Sequence, residues 1–288
     1  MSVNNFIPQL WHAALLENLN DRHVYADCVN REYEGEIKSH GDTVRINSIG
    51  RVTVSAYTKN TWNLTPEVLD GAGQTLTITE QDYFYFGLDD VDKAQIKGAV
   101  MSAAMKEAAW ALADDADVFL ATTIAAGVPT GTTNTMTAAT VGSGAGEADA
   151  FEILIDLGVL LDVQNTPAGG RWAVVPPWYI GELLKDPRFT SFGTAENVAR
   201  AMNGTIKTMS GFDLKVSNNV PVSGSAYTIL AGYKGAATYA NSIAEGSPES
   251  FRHPDGFVDV VRGLHVYGAK VTRPSNLVAI AATKGSGS

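Results

Sequence analysis

A run of small residues, Val141-Gly142-Ser143-Gly144-Ala145-Gly146, stands just ahead of a helix start at Asp149 and imitates the turn that cradles a dinucleotide phosphate. Two things count against it. Glu147 follows Gly144 at the place of the third glycine, where its charge opposes a pyrophosphate, and no convincing buried strand precedes Val141. A flexible connector is the better reading. Glu32, Glu34 and Glu36 recur at strand period and could act as paired carboxylates, but such a row more often marks a solvated edge that discourages wrong pairing. Asp89, Asp90 and Asp92 lack the loop, turn glycine and distal glutamate of a calcium-binding hand, and helix capping explains them better. His12, His23, His40, His253 and His265 form no pair at metal spacing, and the single cysteine, Cys28, completes no zinc site. No nucleophile elbow, Walker loop or His-Glu-x-x-His segment occurs. No catalytic, cofactor-binding or metal-ligating residue is therefore assigned.

Composition narrows the field further. The 288 residues, 45% hydrophobic and 18% charged, suffice for one large domain or two modest ones. With 31 acidic against 21 basic residues the net charge is −10, which disfavours a surface that binds duplexes by releasing counterions. One unpaired cysteine suits folding in a reducing cytoplasm. The start, Met1-Ser2-Val3-Asn4-Asn5-Phe6, has neither the basic opening nor the apolar run of a secretion signal. The most apolar stretch, residues 101–113, contains Lys106 and Glu107 and falls short of the ~20 apolar residues of a membrane span. No membrane role is expected.

The elements follow from periodicity. Ile7, Leu10, Trp11, Ala14 and Leu15 recur at helical spacing in an arm over residues 6–20. Residues 43–47, 51–54 and 75–79 alternate apolar with polar, and residues 60–73 between them are rich in Asn, Thr, Pro and Gly, which predicts a long projecting hairpin. A lone hairpin is marginal in water. With Trp62 and Leu64 near the tip, the surface it needs is expected on a neighbouring subunit.

Asp89 and Asp90 are placed to cap a helix over residues 91–124, about 50 Å long at about 1.5 Å per residue, a spine with Ile96, Val100, Ala103, Ala111, Val118 and Phe119 on its apolar face. Residues 127–146, almost all Gly, Ala, Thr and Ser, mark a connector. A second unit mixes helix and strand: Asp149 caps a helix bearing Leu154, Leu157 and Leu161, residues 171–175 form a buried strand, and Pro177 opens a helix through Leu184. Residues 212–217, 226–231, 237–243, 258–271 and 277–281 are further strands. The closing Gly285-Ser286-Gly287-Ser288 is set aside as a tail.

In their order and spacing these segments resemble the major capsid proteins of tailed bacteriophages, whose fold is shared with herpesvirus capsids and encapsulins. The residues that carry the resemblance are Phe6-Ile7-Pro8 with Trp11, Asn30-Arg31-Glu32-Tyr33-Glu34-Gly35-Glu36-Ile37, Gly41-Asp42-Thr43-Val44-Arg45-Ile46, Val174-Val175-Pro176-Pro177, Gly211-Phe212-Asp213, Ser217-Asn218-Asn219-Val220-Pro221, and Arg262 to Val271 with Arg273-Pro274. The resemblance implies an α+β fold with an N-terminal arm (1–30), an extended β-hairpin loop (31–86), a peripheral domain with its long spine helix (87–126), an axial α+β domain (127–234), strands that rejoin the peripheral domain (235–282) and a flexible tail (283–288).

It also implies self-assembly through pentamers and hexamers into an icosahedral shell around double-stranded DNA, with Phe6, Trp11, Lys59, Trp62 and Leu64 at inter-subunit contacts. The implied partners are further copies of the chain, a separate scaffolding protein, a portal, a decoration protein and, non-specifically, packaged DNA. The place is the virion, assembled in the bacterial host cytoplasm. Some relatives lock the shell by an isopeptide bond from a loop lysine to an asparagine; Lys59 and Asn276 could be paired so. Attack by lysine needs a desolvated, neutral amine, and the polar Thr58, Asn60 and Thr61 beside Lys59 offer no such pocket, so no cross-link is expected. The competing readings are an encapsulin-type nanocompartment and, from the Gly142 turn, a soluble nucleotide-binding enzyme.

Overall fold

The computed structural model describes residues 23–33, 41–49, 56, 59, 71–89, 100–131, 133–142, 144, 146–186, 208–243, 248–254 and 256–285. In chain order, β1 (Thr43–Ile49) and β2 (Gly71–Thr77) pair antiparallel from Thr43↔Thr77 to Ile49↔Gly71, which makes the base of the expected hairpin; the expected strand at residues 51–54 and residues 60–70 of the tip lie outside the described residues. Strand β3 (Glu80–Asp89) follows, then the spine helix α1 (Val100–Gly127), β4 (Thr135–Val141), α2 (Ala150–Val163), β5 (Arg171–Val175) and α3 (Pro177–Lys185). The rest is strand: β6 (Thr208–Met209), β7 (Phe212–Val216), β8 (Val222–Ser223), β9 (Ala226–Tyr233), β10 (Ala237–Ile243), β11 (Glu249–Arg252), β12 (Val258–Val271) and β13 (Leu277–Lys284). The expected α+β class is borne out.

Two larger sheets organise the chain around α1. In the four-stranded sheet β12 is central, with β10 and β11 on one side and β3 on the other. Its inner face, with Phe84, Phe86 and Val261, packs on Met105 and Ala109 of the spine. The hairpin base lies on its other face, where Val44, Ile46, Leu76 and Ile78 meet Ala240 and Val266, and each such buried aliphatic contributes roughly 2 kcal/mol. The hairpin can approach because residue 268 is glycine: a Cβ there would stand 2.5 Å from the carbonyl oxygen of Thr77.

The seven-stranded sheet runs β4-β13-β9-β5-β7-β6, with β8 paired to β9. Every residue of β5 is buried, because both faces are covered: Ala173 and Val175 join Leu154, Leu157, Leu161 and Tyr179 of the helices α2 and α3, while Trp172 and Val174 join Ala116, Leu120 and Ile124 of α1. Asp149 caps α2 by accepting from the amide of Phe151, and Pro177 occupies the first turn of α3, both as expected.

Several expectations are corrected. The connector 127–146 contains β4, which pairs parallel with β13; its Thr135, Thr137, Thr140 and Val141 are β-branched and suit a strand, although a low-complexity reading sees only a linker. Strand β13, assigned to the peripheral group, instead runs between β4 and β9 in the second sheet. It continues to Lys284, and Gly285 is buried and donates to the carbonyl of Val141, so the tail does not begin at 283. Asp89 ends β3, and Asp90 with the expected helix start lies outside the described residues.

The buried stripe of α1 is Met105, Ala109, Leu112, Ala116, Leu120 and Ile124, whereas Ala103, Ala111 and Val118 are exposed. Alanine on every side leaves the stripe undetermined by periodicity. Residues 91–99 of the expected spine lie outside the described residues, and among those described no helix is long and apolar enough to cross a membrane.

Candidate assembly surface

The glycine turn that imitated a phosphate site is filled by its own chain. Glu147 turns its carboxylate back into it and accepts the amide of Gly144 at 2.7 Å. A Cβ on Gly142, Gly144 or Gly285 would stand 2.2, 2.7 or 2.5 Å from that carboxylate, so the glycines make room for Glu147 where an anion would otherwise sit. The charge that opposed a pyrophosphate in the sequence takes the seat itself.

The other groupings behave as ordinary structure. Glu32 is exposed and closes a turn in which its amide donates to Asn30 Oδ1; Glu34 and Glu36 lie outside the described residues. Among the described residues no three His, Cys, Asp or Glu side chains gather as metal ligands. Burial above all pushes the Cys28 thiol up to about 12, which keeps it an unreactive core group.

One polar junction escaped the sequence reading. Asp117, buried on α1, accepts the amides of Val24 at 2.7 Å and Tyr25 at 3.2 Å, and lies 3.3 Å from His23 Nδ1. It fastens residues 23–25 to the middle of the spine. His265 lies nearby on β12, fully buried, with neither ring nitrogen partnered; burial first, and His23 second, lower its value from 6.5 to about 3, so it is neutral. The signal was one more aspartate after Asp114 and Asp115 on the helix, which cannot announce a partner 93 positions away.

Of the predicted contact residues, Lys59 is exposed in a turn, while Phe6, Trp11, Trp62 and Leu64 lie outside the described residues. The described surface offers other apolar groups. Tyr83 is 76% and Tyr85 53% exposed, on the outer face of β3; Arg262 pairs across from Tyr85 and lies over the Phe251 ring at 5.1 Å. Phe257, in the turn before β12, is 77% exposed. On α2, Ile155, Val159 and Val163 recur every fourth residue on the solvent side. Where such groups adjoin, as Tyr83 with Tyr85 and the row on α2 do, they have the composition of surfaces that contact other protein.

Comparison with known proteins bears on what that other protein is. The sequence profile of a family described as phage capsid protein matches residues 73–280. A search of curated proteins returned no match. Among solved structures, a chain from Mycobacterium phage Che8 is 28% identical with a TM-score of 0.70, and 90% of each chain is covered. A chain from the capsid of the cyanophage P-SCSP1u is 17% identical with a TM-score of 0.69, covering 91% of this chain and 89% of that one. A virus-like particle from Pyrococcus furiosus matches with a TM-score of 0.56 at 14% identity, covering 95% of this chain and 99% of the other. The latter two likenesses are of fold.

Proposed function

The chain belongs to the phage capsid protein family, and from that premise we propose that copies of it, as the major shell subunit, close into pentamers and hexamers and then into an icosahedral shell around double-stranded DNA. The observation that supports this reading best is the exposed aromatic face of β3, Tyr83 and Tyr85, on the sheet that carries the base of the hairpin. A subunit that meets its neighbour by one patch and receives it on a different one makes heterologous contacts, which close into rings. In this reading Phe6, Trp11, Lys59, Trp62 and Leu64 are contact residues, the first two from the arm and the others from the loop.

A separate scaffolding protein, a portal and a decoration protein complete the particle, and assembly takes place in the bacterial host cytoplasm. Contact with packaged DNA is non-specific and weak, consistent with a net charge of −10. The encapsulin-type alternative draws on the archaeal virus-like particle, but that likeness is at 14% identity against 28% for the Che8 chain. Nuclease treatment of particles purified from infected cells decides between them. Protected DNA of one defined length supports the phage shell; a co-purified enzyme inside particles free of DNA overturns it.

A further inference from the structure

Residues 23–30 cross the core as a strap fastened at its two ends. At one end Asp117 of the spine accepts the amides of Val24 and Tyr25; at the other Asn30 donates to the carbonyl of Ala237 at 3.0 Å and accepts the amide of Tyr239 at 2.9 Å. Between them Tyr25, Ala26, Cys28 and Val29 are buried. The strap belongs to neither large sheet, since its contact with β10 is the isolated bridge Asn30↔Thr238. It can therefore lift without a sheet coming apart.

Beside it sits a histidine with nowhere to put a proton. His265 is 0% exposed, and among the described residues neither ring nitrogen has a hydrogen-bond partner. Its ring lies 4.9 Å from Tyr267, Tyr267 lies 6.4 Å from Tyr239, and Tyr239 lies 5.9 Å from His23 of the strap. The titratable groups on every side are otherwise engaged or out of reach. Asp82, directly across on β3, accepts the Tyr267 hydroxyl at 2.5 Å, and Glu80 stands opposite Tyr267 itself. From the spine, Asp117 is taken by the strap amides and His23, and Asp115 is exposed and acts on Tyr267. From the strap come His23, Tyr25 and Cys28, with no carboxylate on the buried side.

A charged imidazolium held there would be buried and unpaired, and water is its remedy. A groove of about 200 Å³ between Trp110 and residues Ser217 to Asn219 already reaches Val24 and Asp117, where the strap is fastened. With the strap closed, burial first and His23 second hold the ring at about 3; opened to water it returns to its ordinary 6.5. Opening therefore binds a proton, and acid favours it. We propose that residues 23–30 are an acid-released strap, in which proton uptake by His265 lifts them off the spine and β10 while both large sheets stay intact.

Cys28, the one cysteine of the chain, is buried in the strap and reports its opening. The full-length chain is labelled with dithiodipyridine, and amide exchange is followed in parallel, each rate divided by that of the denatured chain at the same pH. The normalised rates of Cys28, Val24 and Tyr25 should rise about 30-fold from pH 7.5 to 5. At pH 5 they should exceed those of the β5 amides at least tenfold. His265→Phe and His265→Leu, which cannot take up the proton, should each hold the rise below about threefold. A wild-type rate independent of pH overturns the proposal, as does a full rise in either variant. Rates at the strap equal to those of β5 overturn it too, because the chain would then be opening as a whole.

Discussion

The carboxylate of Asp117, midway along the spine helix, accepts the amide of Val24 at 2.7 Å and so ties the segment at residues 23–25 to the element on which both sheets pack. The bond spans 93 positions and is drawn from a buried acid whose remaining partners are the Tyr25 amide and the His23 ring. Replacing Asp117 by alanine leaves two amides without an acceptor, and each such orphan costs about 1–3 kcal/mol. We expect Asp117→Ala to lower stability by about 3 kcal/mol and Asp117→Asn by less. Denaturant unfolding measures the loss, and faster exchange of the Val24 and Tyr25 amides assigns it to the junction.

His265 predicts a pH dependence. In the folded chain it stays neutral down to about pH 3, whereas in the unfolded chain it takes up a proton below its ordinary 6.5. Between those values the unfolded state binds more protons, so stability falls as the pH drops through this window and is unaffected by this group above it. At about 1.4 kcal/mol per unit, the loss reaches about 2 kcal/mol near pH 5. Comparing the unfolding free energies of wild type and His265→Phe from pH 7.5 to 5 isolates the term: the difference between them should change by about that amount, and a constant difference would contradict it.

Much of this architecture was legible along the chain. Alternation in residues 43–47 and 75–79 marked the hairpin, Asp149 and Pro177 marked two helix starts, and both take the places expected. What periodicity could not supply was partnership. Thr135 to Val141 looks like linker because its strand character depends on β13, 143 to 144 residues later, pairing beside it. Asp117 looks like a solvated helix acid until Val24 arrives. The buried stripe of α1 was misplaced because alanine, small enough to suit either side, covers the helix all round. The exposed face of β3 with Tyr83 and Tyr85 was not singled out, since alternating aromatics on a strand are as consistent with two covered faces as with one.

Gly268 offers a test of how the hairpin is held. A methyl group there would meet the Thr77 carbonyl oxygen at 2.5 Å and the Ile78 Cα at 3.0 Å, backbone atoms that cannot swing aside. Gly268→Ala should loosen the β1–β2 base from the four-stranded sheet and cost roughly 2 kcal/mol or more. Exchange of the β2 amides should quicken while those of β5, in the other sheet, stay protected; equal loss in both would show the two regions to be one cooperative unit.

Lys59 stands exposed in a turn, with no desolvating pocket around it among the described residues. Mature particles boiled in detergent should therefore run as one band near 30.5 kDa. A ladder of covalent pentamers and hexamers that disappears on Lys59→Ala would show that the assembled shell buries this amine and that the subunit joins itself to its neighbours.

If this chain builds a closed shell from copies of itself, the size of the purified protein in solution shows it most directly. Sedimentation velocity across assembly conditions, with electron microscopy of the fastest fraction, should show megadalton icosahedral particles in equilibrium with rings of five and six. A monomer or small dimer under every condition, with no closed particles in the images, would contradict it.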